Sequence, residues 1–240
     1  MKYYFITGTS RGIGKAIAEN VLKKENVKVY GISRNCTISH RNYNHSDIDL
    51  SKPDNTQNYK FPEISDSSEI VLINNAGVMS EIKRIGMQKN KNIINDYNVN
   101  IVSPSILINN FIKKYQDYKN KRTILNVSSG AGRHTVDAWS VYCASKAALD
   151  MYSQNINLEQ SFYPEENRIK IFSVAPGVIE TAMQEQIRKT PEKHFSDVEK
   201  FVNLKNNDLL SSPESTAEKL LNIIADSDRF SDVILDVRNL

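Results

Sequence analysis

Short apolar runs alternate with longer stretches of helical period along this chain. Tyr3 to Thr7 is a compact apolar run of strand length. Ile13 to Lys24 carries apolar residues at 13, 16, 17, 21 and 22, the period of a helix with one buried face. Val27 to Ile32 reads as a second strand and Ile48 to Leu50 as a brief third. Ile70 to Ile73, Arg122 to Val127, Ile169 to Val174 and Val233 to Val237 continue the strand series. Ile93 to Tyr115, Val141 to Phe162 and Ser215 to Ile224 read as helices, with Pro104 expected to kink the first. This alternation predicts an α/β fold, a doubly wound parallel sheet with helices on both faces. No shift in composition marks a second domain, so residues 1–240 are read as one. Thr181 to Pro213 is one long irregular stretch, and loops of that length in compact domains are commonly lids, so 181–213 is read as a substrate loop.

Composition fits that picture. The 240 residues are 40% hydrophobic and 25% charged, a globular balance with enough length for a sizeable core. The net charge of +3 is spread over loops such as Lys89-Asn90-Lys91-Asn92 and forms no basic stripe with aromatics, which argues against nucleic acid as a partner. No stretch reaches the length of a transmembrane helix, and the chain runs from Met1 into a glycine motif with no room for a signal peptide. Cys36 and Cys143 form no disulfide framework, which fits a reducing cytoplasm. His40, His45, His134 and His194 lack metal-ligand spacing, so no metal is expected.

The first motif with chemistry is Thr7-Gly8-Thr9-Ser10-Arg11-Gly12-Ile13-Gly14, between the first strand and the first helix. Glycines there permit a tight turn and a close backbone approach to a pyrophosphate, and the helix N-terminus offers free N–H groups. Dinucleotide sites that prefer NAD place an acid at the end of the second strand to accept the ribose hydroxyls. This chain ends that strand with Ser33-Arg34, so Arg34 and Arg11 are read as partners of a 2′-phosphate and the cofactor as NADP(H). The second motif is Tyr142-Cys143-Ala144-Ser145-Lys146, where positions i and i+4 of a helix bring a phenol and an ammonium to one face. A cation near a phenol lowers its pKa toward the range of a general acid or base.

Taken in order, these segments resemble the short-chain dehydrogenase/reductase family over nearly the whole chain. The resemblance is carried by the glycine turn at 7–14, Asp49-Leu50, Asn74-Asn75-Ala76-Gly77, Val99-Asn100, Ser129, the Tyr142/Lys146 pair thirteen positions later, and Pro176-Gly177 with Thr181. Within the family, Ser128 to Gly132, Ala175 to Val178, Met183 to Arg188, and the stretches 201–205 and 209–214 resemble the bacterial benzil reductases, relatives of sepiapterin reductase. The segment between Asp49 and Asn74 departs from them: it is short and rich in Pro, Asn and Ser, and its usual helix is expected to be a single turn or absent.

The resemblance implies a Rossmann-like fold and an NADPH-dependent reduction of a small-molecule carbonyl. Tyr142 is then the general acid, and Lys146 tunes it and holds the nicotinamide ribose. Ser129 holds the developing oxyanion, and Asn100 holds a water that relays protons. Gly8, Ser10, Arg11, Gly12, Ile13, Gly14, Ser33, Arg34, Asp49, Leu50, Asn74, Asn75, Ala76, Gly77, Pro176, Gly177, Val178 and Thr181 would bind cofactor. Trp139, Val136 and Met183, apolar and flanking these segments, are read with Ser129 and Tyr142 as the substrate site of a hydrophobic ketone or diketone. A homodimer or homotetramer through the long helices is expected by the same resemblance. Other readings are a family oxidoreductase acting on a 3-oxoacyl thioester or a sugar alcohol, and a non-catalytic NADP-sensing regulator. The last requires a damaged catalytic set, whereas the set here is complete.

Overall fold

The computed structural model describes residues 1–240. Seven strands form one parallel sheet: β1 (Lys2–Thr7), β2 (Val27–Ser33), β3 (Tyr43–Asp47), β4 (Glu69–Asn74), β5 (Lys121–Val127), β6 (Lys170–Ala175) and β7 (Ile234–Asp236). Their spatial order is β3-β2-β1-β4-β5-β6-β7. The strands read as continuous apolar runs because both faces of the sheet are covered. Alternate residues serve alternate faces. Tyr4, Ile6, Val71, Ile73, Leu125 and Val174 pack beneath α1 (Gly12–Leu22) and α8 (Pro213–Ala225). Phe5, Ile70, Leu72, Ile124 and Ile171 face Leu107, Phe111 and Tyr115 of α4 (Ser103–Tyr115) and Ile156 of α5 (Ser140–Gln160). Phe5, Phe61, Phe111 and Tyr115 contact one another edge-on or stacked, with ring centroids 4.9–6.5 Å apart.

Three expectations are corrected. The third strand is Tyr43–Asp47 rather than Ile48–Leu50. It is a polar edge strand paired with β2 alone, so it needs no apolar run, and Leu50 is instead buried beyond its end. The stretch Thr181 to Pro213 is not irregular: it holds α6 (Ala182–Arg188) and α7 (Val198–Asn206). Each presents a narrow apolar stripe among charges, Met183 and Ile187 on one, Phe201 and Leu204 on the other. The long helix is interrupted ahead of Pro104. It runs as α3 (Asn90–Tyr97), a π turn over Asn98–Val102 and then α4, with Pro104 in the first turn of α4. The extra residue lets the Ser103 N–H reach back to Asn98 O, so the ladder is already open where proline would have broken it. In the short segment after Asp49, α2 (Pro53–Gln57) is about a single turn, as expected.

Connections at the carboxyl ends of the strands carry the motifs. The order reverses between β1 and β4, and ligands of such sheets bind in the crevice at that switch point. After β5, a short 3₁₀ turn over Gly130–Gly132 lies against α5. A Cβ on Gly132 would stand 2.9 Å from the Lys146 carbonyl carbon and 3.0 Å from Ala147 N, both backbone atoms that have no rotamer to yield. Gly132→Ala is therefore expected to cost about 1–3 kcal/mol of stability by overpacking. Urea unfolding of the full chain measures this, and an unchanged midpoint would mean that the turn moves away from α5 freely.

Candidate active site

Nearly all positions expected to bind cofactor or substrate line one cleft of about 700 Å³ at the carboxyl edge of the sheet. Gly14 and Asn100 stand just behind its wall, and Asn74 does not line it. The Asn74 side chain is buried in the sheet and donates to Asn126 Oδ1 at 2.9 Å.

The glycine turn at one end fits a phosphate. Gly8 and Gly12 have φ of 74° and 57°, the left-handed region that glycine enters without strain. A Cβ on Gly14 would meet Gly8 O at 2.4 Å, so the start of α1 can press against the turn only as glycine. Asn75 completes the cradle, donating its amide to Thr7 O at 3.0 Å, while the Asn75 and Ala76 N–H groups donate to Thr7 Oγ1 at 3.0 Å each. The first turn of α1 has no acidic residue and no side-chain cap, which leaves its N–H groups to a ligand. The side chains of Arg11 and Arg34 are exposed at the cleft and form neither ion pair nor hydrogen bond with the protein. Asp49 lies nearby. Partial burial acts to raise its pKa, but the hydrogen bonds from Ser51 and the Arg34 charge outweigh this and hold it below the usual carboxylate range. The residues present therefore fit a dinucleotide carrying phosphates.

Tyr142, Lys146, Ser129 and Asn100 converge from three elements. Tyr142 and Lys146 lie one turn apart on α5, with the ammonium 5.8 Å from the phenol ring centre. Burial pushes Tyr142 up to about 12, although Ser129 pulls in the opposite direction. Burial also pushes Lys146 down to about 8, against the charge of Asp150 one turn further along α5. The expected lowering of the tyrosine by its lysine is thus absent from the protein alone. The Lys146 ammonium donates to Val127 O at 2.8 Å, and burial dominates both groups.

Ser129 caps the 3₁₀ turn, its Oγ accepting from Ala131 N at 3.1 Å. Asn100 sits in the π turn, fully buried. Its carboxamide accepts from Val78 N and donates to Val78 O, both at 2.8 Å, and donates to Ser145 Oγ at 3.1 Å. Pro104, four residues on, has no N–H to offer the Asn100 carbonyl. The Gly77 backbone lies between these groups: a Cβ there would stand 3.5 Å from Lys146 Nζ and 3.6 Å from Asn100 Oδ1.

The far end of the cleft is apolar. Trp139 is 7% exposed, stacks on Phe195 at 5.6 Å, tilts against Phe201 at 5.4 Å and meets the Tyr142 ring edge-on at 5.9 Å. Val136, Met183 and Leu204 pack around this cluster. Sequence reasoning named Trp139, Val136 and Met183 and read the loop beyond them as a substrate loop, but it did not single out Ile187, Phe195, Phe201 and Leu204 within that loop. The i,i+4 and i,i+3 spacing of Met183/Ile187 and Phe201/Leu204 was the available signal. It also missed Asp150, which spacing alone puts one turn from Lys146. Asp150 accepts from Ser173 Oγ at 2.6 Å and Arg133 Nε at 3.2 Å. Three cleft-wall residues hold a buried polar atom with no protein partner, namely Ser128 Oγ, Trp139 Nε1 and Gln184 Oε1. No helix is long and apolar enough to cross a membrane.

The model of the short chain dehydrogenase family matches residues 2–192. The chain is 36% identical to the benzil reductase ((S)-benzoin forming) of Bacillus subtilis over 231 residues, covering 93% of each chain. It is also 36% identical to that of Bacillus cereus over 239 residues, 93% of this chain and 94% of the relative. Among solved structures, the KRED1-Pglu enzyme superposes with a TM-score of 0.79 at 25% identity, covering 94% of this chain and 95% of that one. A 4-hydroxyisoleucine dehydrogenase solved as a complex with NADH superposes with a TM-score of 0.79 at 24% identity over 98% of this chain and 96% of its own, a likeness of fold. With the glycine turn, the switch-point cleft and the Tyr142/Lys146 pair in one place, the chain belongs to the short chain dehydrogenase family of oxidoreductases.

Proposed function

We propose that this protein is an NADPH-dependent carbonyl reductase acting on small hydrophobic ketones or diketones. The observation that carries this reading is the meeting of Tyr142, Lys146 and Ser129 between a phosphate-binding turn and an aromatic wall. The identity with two benzil reductases supports the same substrate class. When bound, the cofactor supplies hydride to the carbonyl carbon. Gly8 to Gly14 and the start of α1 hold its phosphates, and Arg11 and Arg34 hold a 2′-phosphate. Asp49 and Leu50 would meet the adenine, Asn75 to Gly77 would line the adenosine and nicotinamide side, and Pro176 to Val178 with Thr181 would contact the nicotinamide end.

Ser129 donates a hydrogen bond to the substrate oxygen as charge develops, and Tyr142 gives that oxygen a proton. Burial suits Tyr142 to this direction, because a phenol held near 12 keeps its proton at working pH. Lys146 keeps a positive charge beside it, and Asn100, whose carbonyl receives no N–H from Pro104, holds a water through which the proton is replaced. Trp139, Phe195, Phe201 and Met183 give the substrate an apolar, water-excluding wall. Val102 and Ile94 near α4, and Met151 and Leu158 on α5, are large exposed apolar residues that suit a homodimer or homotetramer through these helices. An exposed Cys36 and a half-buried Cys143, both free, suit the cytoplasm.

NADPH oxidation with a panel of diketones, pteridine ketones and acyl thioesters tests the reading, with the fastest turnover expected on aromatic diketones. No oxidation of NADPH or NADH with any carbonyl would end it. Tyr142→Phe is expected to bind NADPH as before while turnover falls on the order of 10²- to 10⁴-fold. Arg34→Asp is expected to weaken NADPH roughly 10- to 100-fold, the worth of a charge-assisted bond of about 1.5–3 kcal/mol, and to leave NADH nearly unchanged. The pH profile follows from the two shifts. Lys146 is protonated below about 8 and neutral above, while Tyr142 stays protonated throughout, so kcat/KM for reduction falls as pH rises through about 8. A flat profile across that range would detach the Lys146 charge from the proton-transfer step.

A further inference from the structure

Ala138 has a φ of 62°, in the left-handed region that a side chain with a Cβ enters at a cost. The reversal there separates its two neighbours. Trp139 turns inward onto Phe195 and Tyr142, while Asp137 turns outward. The Asp137 carboxylate is saturated with donors. It accepts from Arg84 Nε and Nη2, both at 2.9 Å, and from the Ser196 N–H and hydroxyl, both at 3.1 Å. Arg84 lies between β4 and α3, and Ser196 lies between α6 and α7. One carboxylate therefore joins segments that leave the sheet from three different strands.

The 182–210 segment is otherwise fastened mainly at its base. There Ser211 pairs with Ile179, its N–H donating to Val178 O at 3.0 Å and its carbonyl accepting from Glu180 N at 3.0 Å. Glu180 in turn pairs with Arg188 of α6 at 2.7 Å and Lys205 of α7 at 3.1 Å, which holds the two helices to each other. Away from the base, the polar ties to the body run through Gln186, donating to Met79 O at 2.9 Å, and through Ser196. Phe195, next to Ser196, is fully buried against Trp139. The tie to Asp137 thus lies beside the ring that backs Trp139 at the apolar end of the cleft.

We propose that Asp137 is a positioning residue for substrate: by gripping Arg84 and Ser196 together it holds the α6–α7 lid down on Trp139, so that the apolar wall over Tyr142 is formed before a substrate arrives. The grip lies at the surface, but it is geometric: two parallel bonds from one guanidinium and two from one serine meet a single carboxylate. Arg84, followed by Ser196, holds the Asp137 carboxyl far below the usual range, so the clamp yields to salt and not to mild acid. Its link to substrate rests on the carbonyl-reductase reading, but its link to the wall does not.

Trp139 is the sole tryptophan, so its fluorescence reports the wall with no substrate present. Asp137→Asn keeps the size and removes the charge. In the full chain this variant is expected to raise acrylamide quenching of Trp139 and to raise the KM for a hydrophobic diketone about tenfold, the worth of one charge-assisted bond, with kcat within about twofold and NADPH affinity unchanged. About 0.5 M sodium chloride should move the wild type toward the variant and leave the variant unmoved. Arg84→Gln should reproduce the variant, Arg84→Lys should restore part of the quenching protection, and the double variant should be no worse than either single one. Unchanged quenching and salt response in Asp137→Asn, or additive effects in the double variant, would overturn the clamp. Raised quenching in a chain that reduces no carbonyl would leave the clamp standing and remove the reductase reading instead. Should Asp137→Asn fail to fold, Arg84→Gln answers the same questions.

Discussion

Thr7 and Asn75 tie the first and fourth strands together where the order of the sheet reverses, and the rest of the site depends on that tie. The two residues are neighbours in space and far apart in sequence, and their bonds use the backbone groups that a strand end leaves unpaired. Because helices leave β1 and β4 on opposite sides, a crevice must open between them. The close packing of Gly14 on Gly8 O draws the start of α1 to the edge of that crevice. The carboxyl ends of β5 and β6 follow in register, Asn126 against Ser173 and Val127 against Val174, and bring Ser129 and Pro176 to the same rim. Cofactor end and reaction end are thus fixed by one sheet.

Burial then governs the chemistry at the rim. It penalises charge on Tyr142 and Lys146 alike, raising one and lowering the other, so the pair is held closer to its neutral form than two solvated groups would be. Two features oppose this. Asp150, braced by Ser173 and Arg133, puts a negative charge on the same face of α5 as Lys146, and Val127 O accepts from the ammonium. Lys146 is therefore the group whose charge is adjustable near neutral pH, and Tyr142 is the group that keeps its proton. In the proposed reductase, that asymmetry would favour proton donation by Tyr142 over proton abstraction.

The central strands and the order of the motifs were legible in the sequence because a sheet covered on both faces must write apolar runs, and motifs at strand ends inherit that order. β3 was not legible, since an edge strand with Tyr43, Asn44 and His45 satisfies its ladder on one side and has no core to fill. Gly31 gave an unread clue: a Cβ there would fall 1.9 Å from the Tyr43 hydroxyl, which passes over it to reach Thr9 at 2.8 Å. The π turn was also hidden. Pro104 announces a disturbance, but only packing decides that it is met by one extra residue upstream, which turns the Asn100 carboxamide onto Val78 and Ser145. The pKa of Tyr142 could not be read from an i,i+4 rule, because spacing reports a neighbour and not the depth at which the two are buried.

The segment holding α6 and α7 was the least legible part for a related reason. α6 and α7 bury only narrow stripes, and charged residues make up much of the rest, so their period is weak. Their stability is tertiary: Phe195 and Phe201 are buried against Trp139, and Glu180 joins the two helices at the base. A segment with its own closed base can change its inner face without disturbing the strand ends. Tyr142 belongs to both systems, held by α5 on one side and touched by Trp139 on the other. In the proposed reductase, rigid elements would set what is done to a carbonyl, and the way the 182–210 segment rests on Trp139 would set which carbonyl is admitted.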